Sequence, residues 1–286
     1  MRLFTESDSS CCFGCTLGMI KEMTGSREIY PNASVALVAV EARHTLAPPL
    51  TPDQEGRLKE LVASEFPLHQ PVQMLTINLG LNQQQPPTTA NQPRFTNRSR
   101  TVAATFTQQA VVIETTEHEH FERLVDLVAL SIAARQEVSP VDGMERLGLR
   151  YLDEIRVPPD GDEIDWSQWV EKSLLGPIEV ADKVGFPAGQ HQGSVGYQFD
   201  PNRALTLRYG VRSGHAVQSA ALVRKMPPPS PFFLLDIDSF WIATGVIPEF
   251  NRDRIISFCH ELHDPVNDLF EALITERLRN EVLRHA

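Results

Sequence analysis

Residues 148–158 read GLRYLDEIRVP, and the alternation of side chains in this run restricts the fold more than any other part of the chain. Successive side chains of a β-strand point to opposite faces, so parity sorts them. Leu149, Tyr151, Ile155 and Val157 fall on one face, with Asp153 among them. Arg150, Glu154 and Arg156 fall on the other, with Leu152. One face is apolar enough to be buried while the other carries charge of both signs. Such a strand belongs in an antiparallel sheet covered on one side. Asp153 is the misfit: an acid at a core position needs a buried partner or a bulge that displaces it.

The same alternation recurs downstream. Leu205, Leu207, Tyr209 and Val211 form an apolar set, with Thr206, Arg208, Gly210 and Arg212 opposite. Strands are also predicted at 35–43, 72–79, 100–107, 110–116, 195–199 and 232–241 from β-branched runs bounded by turn residues. Thr51 followed by Pro52 reads as a helix N-cap with proline at the first position. Leu58, Leu61, Val62 and Phe66 then supply one helical face. A second helix over 118–136 stripes Phe121, Leu124, Val125, Val128 and Ile132, and a short one over 165–175 is anchored by Trp166, Trp169 and Val170. The last region, 251–285, repeats Ile255, Cys259, Leu262, Val266, Leu269 and Leu273 at spacings of four and three, a packing seam that Pro265 interrupts. Residues 81–98, rich in Gln, Pro and Asn, read as a long connector.

Set in order, these elements predict an α+β fold of two β-α-β-β-β-α halves, an internal duplication forming one or more antiparallel sheets with helices packed on one face. Glu41 and Arg43 align with Glu154 and Arg156 at one common offset, and residues 112–115 resemble 235–238. The expected division is an unstructured leader over 1–28, a first half over 29–140 and a second half over 141–286 that ends in helices.

Function classes narrow by charge and by missing motifs. A net charge of -11 repels phosphate backbones, so nucleic acid is a disfavoured partner. No apolar run approaches the roughly 18 residues of a membrane span, and no signal-peptide pattern opens the chain, so a soluble cytoplasmic protein is expected. Cys12 and Cys15 form a C-x-x-C beside Cys11, without the second pair that a zinc site needs and without a strand before it. No phosphate-binding glycine loop, dinucleotide fingerprint or nucleophile elbow occurs.

Two sets of residues remain as candidates. Arg150, Glu154, Arg156, Arg208 and Arg212 share the charged strand face and form an expected interaction face for a protein or peptide partner. Asp236 and Asp238, two apart on one strand, could hold Mg²⁺ or Mn²⁺ with Asp153 or Glu154 as a third acid; an ion-pair lattice with the arginines is the simpler reading. His118, Glu119 and His120 read as solvated residues of a helix start, and His260, His263 and Asp264 as capping or surface residues that miss the zincin spacing. Cys259, on the seam, reads as a small buried hydrophobe.

Several strings look familiar as a group. RLGLRYLDEIRVP at 146–158, LLDIDSFW at 234–241 and LHDPV running into LFEALITERLR at 262–279 resemble the motifs of a sporadically distributed, functionally uncharacterised bacterial protein family. The resemblance spans about residue 30 to the C-terminus. It implies an accessory role, in stress response or defence, or a module that works through a partner. The expected function is therefore a non-enzymatic interaction protein without cofactors, able to form a homo-oligomer. The alternative is a divalent-metal-dependent enzyme acting on phosphoesters through Asp236 and Asp238.

Overall fold

The structure, a computed structural model, describes residues 28–76, 88–158, 164–185, 191–217 and 222–285. The leader and its Cys12–Cys15 pair lie outside the described residues. The chain runs β1 (Val35–His44), α1 (Pro52–Val62), β2 (Leu68–His69), β3 (Val72–Thr76), β4 (Thr88–Gln92), β5 (Arg94–Thr96), β6 (Val102–Phe106), β7 (Ala110–Thr115), α2 (Phe121–Val138) and β8 (Met144–Ile155). Short 3₁₀ turns and α3 (Ala181–Val184) lead to β9 (Gln192–Gln198), β10 (Arg203–Gly214), β11 (Ser230–Ile242), α4 (Arg252–Leu273) and α5 (Glu276–Leu278).

Among the described residues nine strands form one sheet in the order β2-β5-β6-β7-β1-β8-β11-β10-β9, and every pairing in it is antiparallel. β3 and β4 pair separately. Two of these strands, β4 and β5, fall inside the expected connector 81–98, which is therefore shorter than its composition suggested. β5 is buried from Arg94 to Thr96, and its Phe95 ring packs on Phe106. Three residues with tertiary partners outweighed a polar neighbourhood.

α2 packs on β7, α4 packs on β8 and β11, and α1 packs on α2. The core between them follows strand parity. Leu147, Leu149, Tyr151 and Ile155 of β8 face it, as do Phe233, Leu235, Ile237 and Trp241 of β11. Each such aliphatic or aromatic side chain contributes about 1.5–3 kcal/mol on burial. α1 starts as its sequence predicts: the Gln54 N–H donates to Thr51 Oγ1, the Gln54 side chain accepts from the Thr51 N–H, and Pro52 opens the first turn. α4 starts at Asn251, which accepts from the Arg254 N–H, and runs through Pro265 without ending there. Its buried stripe of Ile255, Cys259, Leu262, Val266 and Leu273 holds the proline in a helix that packing stabilises. No helix among the described residues is long and apolar enough to cross a membrane.

Candidate functional site

The face of the sheet turned away from α2 and α4 is an ion-pair lattice. Arg146 bridges Glu41 at 2.8 Å and Asp238 at 3.1 Å, crossing from β1 over β8 to β11. Its guanidinium lies over Gly148, where a Cβ would sit 2.2 Å from Nη1, and stacks on the Phe240 ring at 5.0 Å. Gly148 thus leaves room for the guanidinium, whose flexible end would have to shift over any side chain placed there. Arg150 grips Asp236 with two hydrogen bonds of 2.7 Å, and Arg208 approaches the same carboxylate at 3.6 Å.

The predicted interaction residues divide on this face. Arg150 and Arg208 are about half exposed, at 46% and 50%. Arg212 is half-buried and donates to Gln192. Glu154 is not accessible, with 1% of its side chain exposed and Arg224 at 2.6 Å. Burial alone would raise its carboxyl, but Arg224, the Ala216 N–H and Arg156 together hold it below the usual value. Arg156 donates to the Ser230 and Gly214 carbonyls and lies over the Phe232 ring. It ties the start of β11 to the end of β10.

Asp236 and Asp238 do share one side of β11, as predicted, but arginines occupy both carboxylates. Asp153 is not with them. It pairs with Leu235 in register and faces the helices, so the expected third acid lies on the opposite side of the sheet. Among the described residues no group of three or more His, Cys, Asp or Glu side chains is set to hold a metal ion. The arrangement gives the Mg²⁺ or Mn²⁺ reading no support.

Asp153 lies elsewhere, in a cavity of about 340 Å³ between β8, α4, the residues leading into α2 and the segment that precedes β1. Of the two devices expected for a misfit acid, the partner is present, while the bulge lies on the facing strand β1 and leaves Asp153 at its core position. Ser34 Oγ donates to Asp153 Oδ1 at 2.8 Å, and the register of β1 on β8 slips between Val35 and Leu37, opposite Asp153. The residue is 2% exposed, and burial pushes its carboxyl up to about 7, against a smaller lowering by Ser34. An acid in such a place changes charge near neutral pH.

Histidines and aromatic rings line the rest. His118 meets the Tyr151 ring edge-on at 5.5 Å, and burial brings its imidazole down to about 4, with His120 adding to the effect. His263 stacks on Phe121 with centroids 3.8 Å apart, and His260 meets the same ring edge-on. Tyr30 donates to Glu271 at 3.0 Å, and its phenol is pushed up to about 12 by burial and by that carboxylate. The sequence alone reads the histidines as surface or capping residues. They converge because α2 begins only at Phe121. His118 and His120 precede it, and His120 is extended, at φ -157 and ψ 155. Glu119, between them, lines the same cavity, and His120 and His260 are exposed there as surface residues while His118 and His263 are half-buried.

Cys259 is buried in the α4 seam as expected, and burial pushes its thiol up to about 12. The site therefore offers a buried carboxyl that titrates near neutrality, neutral imidazole and aromatic walls, which suits the binding of a small organic molecule. No family model matches the chain, and no curated protein matches it.

Proposed function

We propose that this protein binds a small organic molecule in the cavity around Asp153. The observation that carries the reading is a buried acid, kept at a core position by a hydroxyl and a bulge, lining an open volume rather than packed shut. A purely structural core would place an apolar residue there at lower cost. A fragment screen by ligand-observed NMR on the full chain tests it. Ala33 is exposed at the cavity lining, so Ala33→Trp blocks the space without entering the core. Fragments that bind the wild type should lose binding in this variant. Binding of every fragment unchanged by Ala33→Trp would refute the reading, as would no binding at millimolar concentration.

A second reading, a protein- or peptide-interaction face, is favoured by one feature. β9 closes the sheet with no charged residue along its length, beside the half-exposed Arg208. Uncharged edge strands are open to pairing with another chain. Alanine at Arg150, Arg208 and Arg212 together should abolish capture of a specific partner while leaving the fold intact, and unchanged capture would count against it. Glu154 is left out because its removal strands Arg224.

We also infer that the sheet comprises two related halves. In support, β5-β6-β7-β1 approaches the middle from one edge as β9-β10-β11-β8 does from the other, and β1 meets β8 antiparallel. The offset that sets Glu41 on Glu154 keeps both on the side away from the helices. The companion match of Val112 with Leu235 does not. Val112 pairs with Glu41 and shares its side, whereas Leu235 faces the core. A slip of one residue, setting Glu114 on Asp236, restores agreement. Residues 29–140 expressed alone should then dimerise through β1, and a folded monomer would count against the inference.

A further inference from the structure

The walls of the Asp153 cavity carry one sign of charge. Glu28, Glu119, Glu122 and Glu271 line it with Asp153, Glu28 being tied to Arg284 and Glu122 having His260 at 3.9 Å, and no lysine or arginine lines it among the described residues. Asp153 is the buried member of this set, and Ser34 is its one hydrogen-bond donor among the described residues. Glu271 differs, being tied to Arg279 at 2.9 Å and to Tyr30. Phe121, on which His263 already stacks, Tyr151 and Phe270 add aromatic rings to the lining, and a ring face attracts cations through its quadrupole. An anion brought here would meet like charge out of water, where repulsion is strongest. A neutral molecule would leave the ionised form of Asp153 without a counter-charge.

We propose that the cavity takes a monocationic organic molecule, an ammonium or guanidinium group on an apolar body, seated against the Asp153 carboxylate and the surrounding rings. This rests on the reading of the cavity as a ligand site and adds the class of ligand. A cation binds the carboxylate and not the protonated acid, so binding drives off the proton that burial otherwise favours on Asp153. Affinity for a permanently charged ligand then rises about tenfold from about pH 6 to about pH 8.

Other titratable groups face the same space. They are His118, His120, Glu119 and Glu122 from the residues around the start of α2; Tyr151 from β8; His260, His263 and Glu271 from α4; and Glu28 and Tyr30 from the segment before β1. Burial keeps His118 neutral across this range. Histidines that gain charge in acid would weaken cation binding in the same direction as Asp153. Asp153→Asn retains every one of them and so isolates the contribution of the carboxyl.

The test is calorimetric or NMR titration of the full chain at about pH 6 and about pH 8 with 2-phenylethylamine, its trimethylammonium counterpart, 2-phenylethanol and 3-phenylpropionate. The two cations should bind at least about tenfold more tightly than the alcohol at the higher pH, and the carboxylate should not bind at millimolar concentration. The pH dependence of the trimethylammonium compound should shrink in Asp153→Asn by the share the carboxyl supplies, with affinity at the higher pH reduced by about tenfold or more. Equal binding of alcohol and cation, a pH dependence undiminished in the variant, or no cation binding at all would overturn the proposal. Binding of the alcohol or carboxylate that Ala33→Trp abolishes would leave the ligand site standing and remove only the cationic class.

Discussion

Replacing Asp153 by asparagine should make the protein more stable at about pH 8 and leave it nearly unchanged at about pH 4. Asparagine keeps the shape and the oxygen that accepts from Ser34 Oγ, and it removes the ionisation. The magnitude follows from linkage. In the unfolded chain the carboxyl titrates near its ordinary 3.8; in the folded protein burial raises it to about 7. Below 3.8 both states hold the proton and the group contributes no pH dependence. Between 3.8 and about 7 the folded state binds more protons than the unfolded one, so stability falls as pH rises. Above about 7 both are ionised and the loss is complete, at about 4 kcal/mol.

Urea unfolding of wild type and variant at half-unit intervals from about pH 4 to about pH 8 reads this directly. Other titrating groups cancel in the difference between the two proteins, provided the slopes with urea agree. The advantage of Asp153→Asn should grow steadily with pH through the lower part of this range and level off above about 7. Parallel stability curves across the whole range would refute the claim that the Asp153 carboxyl is desolvated without a counter-charge.

Three further outcomes follow from the packing. Gly148→Ala places a methyl 2.2 Å from Arg146 Nη1, so the flexible end of the arginine must shift against Glu41 and Asp238; a loss of up to about 1 kcal/mol in urea unfolding is expected, and a loss well above about 2 kcal/mol would show that the guanidinium cannot move aside. Arg135 is fully buried and donates to the Ser139 carbonyl, while its Nε and Nη2 have no partner among the described residues and burial lowers its basicity; Arg135→Met should leave stability equal or raise it by about 1–2 kcal/mol, and a loss above about 2 kcal/mol would show the charge to be matched. Cys259 should resist alkylation in the native protein and react only as the chain unfolds, followed by mass spectrometry of its peptide; rapid native labelling would contradict its burial.

The long strands are legible because their alternation is written in adjacent letters. Leu147 to Ile155 and Leu205 to Val211 sort onto faces by parity alone, and their cores fall where parity puts them. The short strands are not. β5 has three residues, and what makes it a strand is Phe95 packed on Phe106 and pairing with Ala103–Thr105 on β6, information that lies outside the local run. The charged face is legible as a lattice, but its accessibility is not. Glu154 and Arg150 share a strand face by parity, yet Arg224 covers one and leaves the other half exposed. Nothing in the β8 sequence distinguishes them.

The cavity marks the boundary more sharply. Asp153 stands out at once as an acid among core positions, and of the two alternatives the partner is realised, with the slip of register falling on the facing strand. Its partner, Ser34, is 119 residues away in sequence, so the reason it is tolerated cannot be read locally. The histidines turn on a single boundary. Placed inside a helix, His118 and His120 would lie on different faces, but α2 starts at Phe121 and leaves both in the residues before it, lining the cavity with Glu119. A shift of about three residues in a helix start separates a first turn from one wall of a cavity. The misfit acid is therefore the informative signal. A polar residue that violates the strand pattern points to the place where the fold keeps open volume, even when the residues that complete the site are too far apart in the chain to announce it.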